Sequence, residues 1–452
     1  MKSIRKNLIT GFGLALLLLT ISFPARAQTP QERVRDIQAA LREAHLDGWL
    51  FYDFRGSDPL AYRILKLDRN GITTRRWFYY IPAEGQPVKI VHAIERNKLD
   101  QLPGRKIVYL PWQELQADLR AVVTEGGVTR LGPVTGDPRH PSAFGTRVEG
   151  HKRIAMQYSP DNAIPYISRV DAGTIELIRS FGVEVVSSGD LVQKFEAVWS
   201  PEQLQMHIEA SDKMHRIIMQ AFDEIARRIR ASEPATEYDI QQFILRRYDE
   251  ENMTSDGDPP IVAVNANAAN PHYTPTREVT SPIKRGDFVL LDVSAKLKKP
   301  LAVYTDQTWT GYVGETVPEE YTRIFNIVSE ARDAAVRFVQ ENVRAGRMFK
   351  GADVDDVSRG VIKRAGYGGQ FIHRTGHSIG EEVHGNGANI DNLETQDSRT
   401  IIPRTCFSIE PGIYLEGRFG VRSEINVYVS ERDAQVTGQP VQTKVLAILG
   451  NR

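Results

Sequence analysis

Apolar residues along this chain alternate between two periods, and their order divides it. Between Gln31 and Leu46, the residues Val34, Ile37, Leu41 and Ala44 recur at helical spacing. The run Gly48-Trp49-Leu50-Phe51-Tyr52 follows as a strand pattern, and similar runs return at Trp77–Ile81, Val88–Val91 and Lys106–Leu110. A helical pattern then covers Trp112–Val123. Strands alternating with helices predict an α/β domain, with Val183–Val186 as its last strand and Leu191–Val198 as a closing helical piece. Ser200 and Pro201 suit the cap and first position of a helix, so Trp199-Ser200-Pro201-Glu202 reads as a joint.

Beyond the joint, Leu204, Ile208, His215, Ile218, Phe222, Ile225 and Ile229 trace one face of a long helix. Thr236-Glu237-Tyr238-Asp239 has the form of a capping box that opens a second helix. From about residue 260 the pattern changes. Strand patterns at Ile261–Val264, Phe288–Ala295, Val303–Val313, Phe371–Ile379, Thr405–Ile409 and Glu424–Val429 alternate with helices over about Pro318–Ala345 and Gly351–Ala365. No tandem repeat or low-complexity stretch interrupts them. The expectation is an N-terminal α/β domain over residues 28–198 and a larger α+β domain over residues 199–452.

Residues 1–27 read differently. Lys2, Arg5 and Lys6 precede an apolar run from Phe12 to about Phe23, and Ala25-Arg26-Ala27 follows. This is the layout of a secretory signal cut after Ala27. The apolar run is about a dozen residues, whereas a spanning helix needs about 20. The expected product is an exported chain, periplasmic or secreted, with no stable membrane anchor after signal removal.

Composition narrows the function classes. The chain has 452 residues, with Lys+Arg and Asp+Glu equal at 57 each, 41% hydrophobic and 25% charged. That is a globular composition and excludes disorder as the main theme. Zero net charge gives no support for nucleic acid as a partner. Loss of the signal removes Lys2, Arg5, Lys6 and Arg26 but no acid, so the net charge falls from zero to −4. The single cysteine, Cys406, excludes an intramolecular disulfide or a zinc site built on several thiolates. Its apolar neighbours suit a buried, inert thiol better than a nucleophile.

Several common mechanisms lack their motifs. There is no Gly-x-Ser-x-Gly elbow and no phosphate loop, and Gly385-Asn386-Gly387 lacks the third glycine of a dinucleotide fingerprint. What remains is a set of acids and histidines in the C-terminal half. Asp292, Asp306, Glu410 and Glu424 all sit in or beside apolar strand patterns. A buried carboxylate needs a partner, and for any one of these acids a single Lys or Arg is the simpler partner. Yet Arg422 is the only basic residue within two positions of any of them. Four strand acids and an imidazole are satisfied together by a pair of divalent cations. Oxygen ligands with one nitrogen favour Mn, Co, Fe or Zn over a thiolate-type site.

His373 and His377 are four apart, but Gly376 and Gly380 argue against a helix there and the His-Glu-x-x-His pattern is missing. On a strand the two would share a face, one meeting metal and the other substrate. His45, His92, His140, His151, His207 and His215 read as ordinary surface or core residues, with His215 in the core.

An ordered series of motifs now stands out: Asn270-Pro271-His272-Tyr273, Leu291-Asp292, Asp306-Gln307-Thr308, His373-Arg374-Thr375-Gly376-His377-Ser378-Ile379-Gly380, Ile409-Glu410-Pro411-Gly412-Ile413-Tyr414 and Val421-Arg422-Ser423-Glu424. It resembles the catalytic domain of the creatinase/methionine-aminopeptidase, or pita-bread, family, in its Xaa-Pro aminopeptidase and prolidase branch. The resemblance covers most of residues 200–430. The N-terminal domain is similar to the family's cap domain only in size and pattern. The implied fold is an α/β cap domain plus an α+β pita-bread catalytic domain.

The resemblance implies a dinuclear centre, with Mn the first expectation and Co, Zn or Fe the alternatives. Asp292 would chelate one metal, His377 and Glu410 the other, and Asp306 and Glu424 would bridge. His272, His373 and His384 would face substrate, and Arg422 would orient the ligands or the substrate. The implied reaction is hydrolysis of Xaa-Pro bonds at the N-terminus of short proline-containing peptides, by a hydroxide shared between the metals. Glu410 would shuttle the proton, and His384 and His373 would stabilise the oxyanion. A dipeptidase (prolidase), a peptidase without proline preference, and a non-catalytic pita-bread binding protein are the alternatives. Retention of all five ligand types speaks against the last. A homo-oligomer stays open. Three features depart from the family pattern. Lys296–Leu301 lengthens the connection between Asp292 and Asp306, Val293-Ser294-Ala295 stands where relatives often have glycine, and Trp309 stands where many carry Arg. The last puts substrate preference in question.

Overall fold

The structure, a computed structural model, describes residues 28–125 and 151–450. The expected signal segment and His140 lie outside the described residues.

The N-terminal part is built on one six-stranded sheet. In chain order its elements are α1 (Pro30–Glu43), β1 (Gly48–Asp53), α2 (Pro59–Ile64), β2 (Trp77–Pro82), β3 (Val88–His92), β4 (Arg105–Tyr109), α3 (Trp112–Glu125), β5 (Arg153–Met156), α4 (Ala172–Arg179), β6 (Glu184–Ser187) and α5 (Gly189–Glu196). The strand order is β4-β3-β2-β1-β5-β6. Trp49 and Phe51 of β1 feed one core, while Leu50 and Tyr52 feed another on the opposite face. Burial on both faces explains why this strand is continuously apolar in sequence. The sequence pattern missed α2, β5 and α4, which are short and carry few periodic positions.

Ser200 caps α6 (Pro201–Arg230) by accepting from the Gln203 N–H, and Thr236 caps α7 (Glu237–Glu250) in the same way through Asp239. There follow β7 (Met253–Thr254), β8 (Ile261–Val264), β9 (Phe288–Leu297), β10 (Thr305–Tyr312), α8 (Glu319–Arg344), α9 (Gly351–Arg364), β11 (Ser378–Ile379), β12 (Thr405–Ile409), β13 (Gly412–Leu415), β14 (Phe419–Arg422), β15 (Ile425–Val429), β16 (Ala434–Thr437) and β17 (Leu446–Ala447). One sheet runs β17-β10-β9-β7 with β8 also paired to β9, a second runs β11-β12-β15-β16, and β13 with β14 forms a separate hairpin. Helices α6 and α7 cover the first sheet, and α8 covers the second.

Strand parity directs the acids. Val289, Leu291, Val293 and Ala295 of β9 pack against α6 and α7, so Asp292 and Ser294 point the other way. Phe407 and Ile409 of β12 and Ile425, Val427 and Val429 of β15 pack against α8. The Ile409–Ile425 pair is the last of that ladder. Glu410 and Glu424 stand one step beyond it, on the face away from the helix.

Three expectations need correction. Only Ser378–Ile379 of the expected Phe371–Ile379 strand pairs in a sheet, because side chains elsewhere occupy the preceding backbone. The carboxylate of Asp355 on α9 accepts from the Thr375 N–H, and Arg359 donates to the His373 carbonyl. Glu410 and Glu424 are not strand residues but sit at strand ends. Trp309 does not approach the site. It alternates with Thr308 on β10 and packs in the helix-facing core, with its ring 5.1 Å from that of His215.

Candidate metal centre

Two sheets meet at the site, and Asn426 of β15 joins them to each other. Its Nδ2 donates to the Asp306 carbonyl at 2.7 Å, and its Oδ1 accepts from the Asp306 N–H at 3.0 Å. The β9–β10 register sets Asp292 opposite Thr308 and Asp306 opposite Ser294. Both acids therefore lie on one face of the ladder, and the longer connection between them leaves the pairing intact.

His377 is fixed by its neighbours. Gly376 allows the close approach: a Cβ there would lie 2.0 Å from the Ser408 carbonyl oxygen. The His377 N–H donates to Ser408 Oγ at 2.9 Å, and the Ser408 N–H donates back to the His377 carbonyl. The Ser408 hydroxyl donates to Glu410 Oε1 at 3.0 Å. His377 Nδ1 donates to the Ser378 carbonyl at 3.2 Å. The lone pair is thereby left on Nε2, which lies 3.3 Å from Glu410 Oε1 and 3.5 Å from Asp306 Oδ2. One ligand atom each from Asp306, His377 and Glu424 falls within 4.8 Å of the others.

Burial drives the electrostatics. It pushes the carboxyls of Asp306 and Glu424 well above the ordinary range, with Asp292 raising the first further and Asp306 the second. Burial also raises Glu410, against the pull of His377. The Thr308 hydroxyl donates to Glu424 Oε2 at 2.7 Å, while Glu424 Oε1 is buried with no partner. Six acids and two arginines line the cleft. When all are ionised this leaves four negative charges, the charge of two divalent cations. The orphaned oxygen, the aimed imidazole lone pair and this balance all fit divalent cations held by oxygen with one nitrogen.

Arg422 is a buried hub. Its Nη2 pairs with Asp292, its Nε donates to Thr308 Oγ1 at 3.0 Å, and its Nη1 donates to the Tyr414 hydroxyl at 3.2 Å. The Tyr414 hydroxyl lies 2.7 Å from His373 Nε2, and His373 Nδ1 donates to the Arg374 carbonyl. Both nitrogens of His373 are thus committed, and burial holds its pKa down at about 3. Neutral His373 has no N–H left to offer a substrate oxyanion, which changes its expected role to positioning. His384 stands edge-on to His377 with ring centroids 4.3 Å apart, and the charge of His377, with burial second, lowers its pKa to about 3. His272 is exposed at the cleft wall.

The cleft of about 740 Å³ brings together Asp292, Asp306, His377, Glu410, Glu424, Arg422, His373, His384 and His272. That volume is typical of a small-ligand site. It also contains residues the sequence did not single out. Thr308, which lies behind the cleft and donates to Glu424, could have been found by strand parity, two positions after Asp306. Asp258, Arg374 and Tyr166 carry no local signal, and Tyr166 comes from the N-terminal domain. Cys406 is buried in β12, and burial raises its thiol well above the ordinary range.

Comparison with known proteins agrees with this geometry. Residues 209–431 match the family model of metallopeptidase family M24. The second domain belongs to that family. The chain is 29% identical over 233 residues to an Xaa-Pro dipeptidase of Lactobacillus helveticus, covering 52% of this chain and 57% of that protein. It therefore spans under two thirds of the length of that curated relative. Among solved structures, a recombinant prolidase from Thermococcus sibiricus superposes with a TM-score of 0.58 at 21% identity, covering 93% of this chain and 100% of that one. An X-prolyl aminopeptidase from Caenorhabditis elegans, described as having a di-nuclear active site, superposes with a TM-score of 0.59 at 16% identity, covering 92% of this chain and 63% of that one. These likenesses establish the fold, an N-terminal domain followed by a pita-bread domain.

Proposed function

We propose that this chain is a metal-dependent peptidase that hydrolyses Xaa-Pro bonds at the N-terminus of short peptides. The observation that carries this reading is the convergence of Asp306, His377 and Glu424 around the partnerless Glu424 Oε1, with Glu410 and Asp292 in the same cleft. These five residues would hold two divalent cations, Mn first among Mn, Co, Zn and Fe. Such a pair, when bound, supplies Lewis-acid polarisation and a water of lowered pKa.

The chain's own residues do the rest. A prolyl nitrogen in a peptide bond carries no hydrogen, so it needs a proton in order to leave. Glu410, whose carboxyl is raised by burial, is suited to take a proton and pass it to that nitrogen. His384 has a ring edge open to the cleft and offers an N–H to the developing oxyanion. His272 contacts the substrate from the cleft wall. His373 and Tyr414 hold Arg422, and Arg422 holds Asp292 and, through Thr308, Glu424.

Export belongs to the same proposal and rests on residues 1–27 alone. No helix among the described residues is long and apolar enough to cross a membrane. The test is an assay of purified residues 28–452 on Xaa-Pro dipeptides and Xaa-Pro-Xaa tripeptides with Mn and with chelator. Metal-dependent release of the N-terminal residue supports the reading. Cleavage of non-prolyl peptides alone overturns the substrate assignment.

A further inference from the structure

His384 reaches the cleft from residues 380–388, which form neither helix nor strand. A functional ring on a loop is placed less precisely than one on a strand unless contacts around it lock the backbone. The second domain supplies part of that lock. The Gly385 N–H donates to the Ser378 carbonyl at 2.7 Å, and the Gly387 N–H donates to Ser378 Oγ at 3.0 Å. Both contacts lie after His384. Before it, Lys296 Nζ donates to the Glu381 carbonyl at 2.6 Å in a solvent-exposed contact.

The N-terminal domain supplies the rest. Arg63 of α2 pairs with Glu196 of α5 at 2.8 Å. The two belong to one domain and neutralise each other, yet each also reaches across to the His384 segment. Arg63 Nη1 pairs with Glu382, and Glu196 Oε2 accepts from Asn386 Nδ2 at 3.4 Å. Glu382 and Asn386 stand two residues before and two after His384, so the ion pair straddles it. Gln193, three residues earlier on the same face of α5, extends the grip. Its Oε1 accepts from the Ala388 N–H at 2.7 Å, and its Nε2 donates to the Thr400 carbonyl at 2.8 Å. Gly387 lies hard against the end of that helix: a Cβ there would stand 2.8 Å from the Ala197 Cβ. The Glu196 side chain is 7% exposed and that of Glu382 57%, so the Glu196 end of the bridge is shielded from water and salt.

We propose that Arg63 and Glu196 are positioning residues for His384: the ion pair of the N-terminal domain fixes the backbone on both sides of the histidine and so holds its ring at the metal cleft. An oxyanion donor acts only at hydrogen-bond distance from the oxygen that gains charge. A displacement of about 1 Å, caused by a change remote from the chemistry, can cost about 10²-fold in rate. Contacts that are modest in themselves therefore decide turnover when they set the place of such a donor. The inference rests on the role given to His384 above, and goes beyond it by making that role depend on the docked N-terminal domain.

The test is a mutant cycle on the full metal-loaded protein. Arg63→Met combined with Glu196→Met replaces the pair with apolar side chains and avoids leaving one of its charges buried alone. In the wild-type background this change should lower kcat for Gly-Pro by about tenfold or more, with KM within about threefold. The metal content should stay that of the wild type. In a His384→Ala background the same change should alter kcat by less than about twofold, because the side chain it positions is already gone. Arg63→Lys alone keeps a cation beside Glu196 and should retain most of the wild-type kcat. An equal fall in both backgrounds marks a merely structural role and overturns the proposal, as does an unchanged kcat in the wild-type background. Hydrogen exchange reads the same point without turnover. Amides of residues 380–388 should exchange about tenfold faster or more in the paired variant, with those of β12 unchanged. Unchanged exchange in 380–388, or equal acceleration throughout the second domain, overturns the proposal. If the wild type cleaves no Xaa-Pro bond at all, the function reading fails, while exchange still decides whether the pair holds the segment.

Discussion

Thr308 donates its hydroxyl to one oxygen of Glu424 at 2.7 Å and leaves the other oxygen buried without a partner. A buried acceptor of that kind is costly unless a ligand completes it. Glu424→Gln replaces the acceptor set with an amide that carries a donor and no charge. The expected outcome is the loss of at least one of two bound divalent ions per chain, read by elemental analysis of the metal-loaded variant beside the wild type. Unchanged metal content in the variant would remove Glu424 from the site.

The acidity of the cluster sets a pH dependence in the metal-free protein. Asp306, Glu410 and Glu424 are all held above their ordinary pKa, chiefly by burial. Between the unfolded pKa of about 4 and the raised native values, the native state binds more protons than the unfolded chain. Their stabilising contribution is therefore complete below about pH 4 and is lost as pH rises through the native values. Thermal unfolding of chelator-treated protein should show Tm falling from pH 5 to pH 8. Added Mn should raise Tm most at the higher pH, because cations compete with protons for the same oxygens. A metal-free Tm that climbs over this range would contradict the burial of these groups.

Arg422 links the β13–β14 hairpin to the first sheet through charge. Arg422→Met leaves Asp292 without its guanidinium and removes the donors to Thr308 and Tyr414. Breaking a buried pair in this way costs about 3–5 kcal/mol. Urea unfolding of the metal-free variant should show a loss of that size. A loss below about 1 kcal/mol would mean that the pair behaves like an exposed one.

Chemistry and structure separate at two neighbouring positions. Glu410→Gln should lower kcat by about 10²–10⁴-fold, the usual contribution of a positioned proton-transfer group. Cys406→Ser should leave kcat within about twofold, since the thiol is buried in β12 and held protonated by burial. Steady-state kinetics on Gly-Pro reads both. A folded Cys406→Ser protein without turnover would reopen a thiol mechanism.

The sequence made the site legible chiefly where strand parity governs. Asp292 and Asp306 interrupt apolar alternation on paired strands, and the structure places both on the face that the apolar residues leave free. Glu410 and Glu424 stood out in sequence by chemistry, although they lie just past strand ends. The loop before His377 was misread as a strand because its ladder is replaced by side-chain contacts from Asp355 and Arg359, which are distant in sequence. The same limit hid the hairpin of β13 and β14, whose glycines and short length give little periodicity. Arg374 was visible only as a motif letter, because its meaning depends on Tyr166, 208 positions away. His373 was expected to offer an N–H, but a tyrosine hydroxyl and a carbonyl already occupy its ring.

The central claim is tested most directly by titrating Mn into metal-free protein while following Gly-Pro hydrolysis. Activity should start from none and rise to a plateau at two equivalents per chain, and chelator should abolish it. Full activity before any metal is added, or none at any metal concentration in folded protein, would contradict a dinuclear Xaa-Pro peptidase.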